Sequence, residues 1–208
     1  MVSLGLVLGA CVDSGSDESE KRLVTSSEIC EGIFSGDVAR VLEKTTATHE
    51  FFPFEWRSGI AETAESIKLA YAPGGAPGRS EKVNLCLVYR PNSTTPDIEI
   101  GFSLSEEKEF SSDGLDLVRY ELGRHALAGT EKALLYSECV SPKLGGSSEH
   151  PALLRGQLSR DFRSPTPAEE TREANLRLLA AATRALARFL QCENDADMPE
   201  APVLRRIS

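Results

Sequence analysis

No lysine or arginine precedes Cys11, and no apolar run reaches the roughly 20 residues a membrane-spanning helix needs. The first absence means that an export signal would need its basic n-region upstream of Met1; otherwise the chain is not exported. The second excludes a hydrophobic span. No two cysteines stand in C-x-x-C or C-x-x-H spacing, which removes the common zinc frameworks. The three histidines, His49, His125 and His150, each stand without a second ligand at helical or hairpin spacing, so no metal site is expected. No G-x-S-x-G elbow is present. The one S-x-x-K match, Ser105-Glu106-Glu107-Lys108, lacks its S-D-N and K-T-G companions and falls in a charged stretch. Gly74 to Ser80 has no phosphate-loop lysine and follows a helical pattern where a phosphate loop follows a strand. Glu106, Glu107 and Glu109 lack the glycine turn of a calcium loop and read as a solvated segment. Positive charge is also scarce: 23 Lys and Arg stand against 32 Asp and Glu, a net charge of −9. That speaks against nucleic acid, whose binding rests on displacing phosphate counterions, and against charge alone holding the domain on anionic lipid. No cofactor pattern is present.

What is there begins with Leu8-Gly9-Ala10-Cys11, which closes a short apolar N-terminus and looks like a bacterial lipobox. Residues 1–10 then read as the remnant of a signal peptide, and Cys11 as the lipidated residue. Residues 11–25 read as an acidic tether, because Asp13 to Arg22 holds no apolar anchor and buries too little surface to fold. The remaining 40% hydrophobic, 26% charged chain supports one core. A single domain is expected over 26–193, with 194–208 as a C-terminal tail.

Hydrophobic spacing predicts two helices, four strands and a long helix, in that order. The first helix starts at Ser35 as cap, buries Val38, Val41 and Leu42, and fades at Thr45 and Thr46. The second runs from Ser58 to Tyr71, with Ile60, Ala64, Ile67 and Tyr71 on one face before Pro73. Strands are expected at Val83 to Arg90, Ile98 to Leu104, Val118 to Leu122 and Lys132 to Val140. Ser141 to Arg163 reads as loop, rich in proline and glycine. Thr166-Pro167-Ala168-Glu169 reads as a capping box opening a helix to about Gln191. Its apolar stripe is Leu178, Leu179, Ala182, Leu186, Phe189 and Cys192, and its arginines (172, 177, 184, 188) face water. Grouped strands and helices without alternation predict α+β. The expected fold is a roughly four-stranded antiparallel sheet, packed by two N-terminal helices and one long C-terminal helix.

Phe51, Phe52, Phe54 and Trp56 crowd four of the 13 aromatics (8 Phe, 4 Tyr, 1 Trp) into six positions. Exposed, they would be a partner or ligand surface; buried, they are the crossing between two helices.

Beyond Cys11, four cysteines remain: Cys30, Cys86, Cys139 and Cys192. In an exported chain an even count predicts two disulfides, with three connectivities open. Cys192 ends the stripe facing the sheet and Cys139 lies on an apolar strand face, so these are paired first, leaving Cys30 with Cys86. Buried free thiols are the alternative.

Several of these segments together resemble the uncharacterised small lipoproteins of high-GC Gram-positive, streptomycete-type bacteria. They are the lipobox, Ile29-Cys30-Glu31-Gly32, Leu135 to Pro142, Arg172 to Leu176 and Phe189 to Asn194. The resemblance implies a cell-envelope location and disulfides, and it carries no activity. The sequence thus predicts a lipid-anchored extracytoplasmic domain. Its expected partners are the membrane, through the anchor, and an envelope protein or small apolar ligand. An envelope hydrolase with a dispersed catalytic set, or a cytosolic protein with free thiols, are the competing readings.

Overall fold

The computed structural model describes residues 22–53, 59–71, 80–106, 117–145 and 147–207. Cys11, Phe54, Trp56, Ser58 and most of the Glu106 to Gly114 stretch lie outside them. Two short strands, β1 (Val24–Thr25) and β2 (Glu50–Phe51), pair antiparallel around α1 (Asp37–Thr46). Val24 and Thr25, read from sequence as tether, therefore belong to the fold. After α2 (Ile60–Ala70) come β3 (Val83–Val88), β4 (Ile98–Leu104), β5 (Val118–Tyr120), β6 (His125–Ala128), β7 (Lys132–Cys139) and β8 (Ala152–Arg160). The long helix α3 (Ala168–Leu190) follows. The fold is α+β.

The sheet has six strands, not four, in the order β3-β4-β8-β7-β6-β5, every neighbouring pair antiparallel. Two strands escaped the sequence reading for different reasons. β6 is four residues, His-Ala-Leu-Ala, with low strand propensity. β8 sits inside the stretch read as loop, between β4 and β7. Its inward positions Ala152, Leu154, Gly156, Leu158 and Arg160 include a glycine and a cation, which blur the alternation.

The helices lie on one face of the sheet. Ile98, Ile100, Phe102, Leu135, Leu154 and Leu158 meet Leu178, Leu179, Ala182 and Leu186 of α3, all buried. Gly156 lets α3 come close: a Cβ there would stand 2.9 Å from Phe102 Cε1 and 3.1 Å from Leu179 Cδ1. Phe189, expected in this stripe, is 41% exposed, with the Lys143 ammonium 5.1 Å from its ring centre.

The expected caps differ in detail. Gly36, not Ser35, holds the cap position of α1, in a φ of 57° that suits glycine. Pro167 holds that of α3, because the Thr166 hydroxyl is engaged with Thr171 Oγ1 at 2.8 Å instead of a backbone N–H. Within the segment read as a tail, Arg205 to Ile207 run along β5: Glu121 N–H donates to Arg205 O at 2.8 Å and Ile207 N–H to Arg119 O at 3.0 Å. No helix among the described residues is long and apolar enough to cross a membrane.

Candidate functional site

Cys30 pairs with Cys86 and Cys139 with Cys192, with Cα separations of 5.2 and 5.0 Å. Each disulfide is followed by a left-handed turn. After the first, Cys30, Glu31 and Gly32 have φ of 49°, 56° and 75°. After the second, Asp195, Ala196 and Asp197 have φ of 52°, 55° and 57°. Residues with a Cβ pay roughly 1–2 kcal/mol each for that region, so flanking constraints must hold them. The disulfides and backbone bonds such as Glu193 N–H to Val140 O at 2.8 Å supply these.

The first turn lines a groove of about 490 Å³. The first turn aims Glu31 across 29 positions of sequence to accept the Ile60 N–H at 3.0 Å, capping α2 with a carboxylate. The opposite wall is α3 and the 199–201 segment. There Arg184 reaches Glu200 Oε1 at 3.3 Å and Arg188 Nε donates to Asp195 Oδ2 at 2.9 Å. Ile33, Val38, Ile60, Ala181 and Ala185 add apolar lining. The result is a groove with an apolar lining and charges of both signs.

A second cavity, of about 710 Å³, opens between β5, β6 and the C-terminal strap, and His125, Glu121, Arg119 and Asp197 line it. Burial first, then Arg119, hold the His125 imidazole below the usual histidine range, so it is neutral at neutral pH. No serine or cysteine lines this cavity among the described residues. His49 Nδ1 meets Glu43 Oε2 at 2.9 Å on the surface, while the His150 carbonyl accepts from Tyr71 Oη at 2.7 Å. The described residues hold no cluster of three side chains fit for a metal.

Of the aromatic run, Phe54 and Trp56 lie outside the described residues. Phe51 is fully buried in β2, and Phe52 is half-buried with its N–H on Tyr89 O at 3.0 Å. No protein-family model, curated protein or solved structure matches the chain.

Sequence reasoning missed a polar centre beneath the helices. Arg160, 5% exposed at the inner end of β8, donates from Nε and Nη2 to Asn175 Oδ1 at 3.3 and 2.7 Å. Asn175 Nδ2 in turn donates to Gly129 O at 3.1 Å and Thr130 O at 3.2 Å. Phe162 is sandwiched between two guanidiniums, Arg90 at 4.0 Å and Arg160 at 4.7 Å from its ring centre. Burial pushes Arg160 down to about 10, which leaves it charged at neutral pH. The available signal was Asn175, a polar residue set among the apolar positions of a long helix.

Proposed function

We propose that this chain is the extracytoplasmic domain of a lipid-anchored cell-envelope protein, carrying diacylglycerol on Cys11 and binding a protein partner in the groove between Glu31 and α3. The observation that carries this reading is the cysteine pairing. All four cysteines among the described residues are joined in two disulfides, which persist in oxidising compartments. Cys11 stands apart from them, directly after two small residues. The acidic segment that follows Cys11 suits a spacer, and a diacyl group suits stable anchoring, since one chain alone holds only marginally. Free cytosolic thiols are the competing state, and the pairing counts against it.

A hydrolase reading draws on His125, a neutral imidazole in an open cavity that Glu121 and Asp197 also line, and wants a nucleophile there. Binding in the groove needs no such addition.

Fractionation of a Gram-positive host expressing the protein from its own locus tests the anchor. The wild type is expected in the membrane fraction, and Cys11→Ser in the soluble extracytoplasmic fraction. A photo-crosslinker at Ala185 is expected to trap one protein partner in intact cells, whereas one at exposed Thr130 is not. Equal distribution of wild type and Cys11→Ser would refute the anchor; no adduct at Ala185 would refute the groove.

A further inference from the structure

The face of the sheet turned away from the helices carries the polar half of the alternation along β4 and β8, beside a second buried cluster of Leu127, Leu134, Tyr136 and Leu153. The register across β4, β8 and β7 sets Gly101, Gln157 and Leu134 in one row. Ser103, Arg155 and Tyr136 form the row on one side, and Glu99, Ser159 and Lys132 the row on the other. Lys82, one residue before β3, lies across the middle: its Cγ is 2.9 Å from where a Cβ on Gly101 would stand. Its ammonium meets Glu99 Oε2 at 3.3 Å. Lys82, Lys132 and Arg155 thus share this region with Glu99, in a chain of net charge −9.

Two of these cations bear on the third. Burial, then Arg155 and Lys82, hold the Lys132 ammonium below the usual lysine range. Arg155 Nε is shut off from water and has no hydrogen-bond acceptor among the described residues. Like charges held close together destabilise this face, and an anion between them would relieve their repulsion. Ser159 Oγ accepts from Gln157 Nε2 at 3.1 Å, so the hydroxyl proton is available to such an anion.

We propose that Lys82, Lys132 and Arg155 form a binding site for a phosphate group on the outer face of the sheet. Three cations less Glu99 leave two positive charges, which match a phosphate dianion. The guanidinium fork fits two of its oxygens, and the two ammoniums act as point charges. The site depends on neither the anchor nor the groove.

Calorimetric titration of the full chain with inorganic phosphate, at constant ionic strength in chloride, tests it. Saturable binding is expected, weakened at least tenfold in both Arg155→Gln and Lys132→Gln and unchanged in Lys44→Gln, whose lysine pairs with Glu170 on the helical side. Circular dichroism checks folding, and Lys132→Gln carries the test if Arg155→Gln does not fold. Absence of saturable phosphate binding, or equal loss in Lys44→Gln, overturns the site. Co-sedimentation with phosphatidylglycerol and phosphatidylcholine vesicles then distinguishes the sources of a confirmed site. Vesicle binding lost in Arg155→Gln marks a lipid headgroup; phosphate binding without vesicle binding marks a soluble phosphate compound.

Discussion

Arg160 shows how a cation is kept under a helical layer by neutral partners: the amide oxygen of Asn175, the Thr45 carbonyl at 3.5 Å and the face of Phe162. Removing the acceptor leaves the charge buried and unmet, which is worse than removing the charge. Asn175→Leu is therefore expected to cost about 3 kcal/mol in urea unfolding. Arg160→Met should cost less, and the double variant should be more stable than Asn175→Leu alone. Asp97 poses the opposite case. Burial pushes its carboxyl up, but hydrogen bonds from the Arg90 side chain and backbone and from Ser93 outweigh this and hold it below the usual range. Its stabilisation is complete above pH ~4, the unfolded value, and is lost as pH falls through the lower folded value. Asp97→Asn should lose about 2–3 kcal/mol at neutral pH and flatten the acid limb of a stability–pH curve. Neither centre was legible in the sequence: Arg160 meets partners on two helices and Asp97 meets Arg90 across the loop between β3 and β4, approaches that residue spacing alone does not specify.

At the scale of elements, the sheet is set by β8, which pairs with both β4 and β7 and faces α3 through Gly156. Gly156→Ala keeps an allowed backbone but drives a methyl into Phe102 and Leu179. It should cost about 1–3 kcal/mol by overpacking, seen as a lower Tm with a native circular dichroism spectrum. Strong, uninterrupted periodicity made α3, β4 and most of β7 legible in advance. β8 was hidden because its inner face uses glycine to admit α3 and arginine to fill a polar pocket, so the residues that fit it to its neighbours also broke its pattern. The groove was equally hidden. Left-handed turns at Glu31 and at Asp195 to Asp197 have no glycine signal at those positions, and each is tied to the sheet through a disulfide partner distant in sequence.

Over the whole molecule, the two disulfides join partners 56 and 53 positions apart, one beside Glu31 of the groove and the other just past the end of α3. On the chain-entropy model a loop of that length contributes about 4 kcal/mol. Replacing Cys139 and Cys192 together by serine should lower stability by that order and loosen the 193–201 wall, read as faster amide exchange there. The pairing itself was legible, because Cys139 and Cys192 each lie on an apolar face that looks toward the other. The most direct test of the proposed envelope location is intact mass spectrometry, without reductant, of the protein purified from a Gram-positive host that expresses it from its own locus. A species beginning at Cys11, carrying diacylglycerol and lacking four thiol hydrogens is the expected result. A species of full-length mass with five free thiols would contradict the anchor, the disulfides and the compartment together.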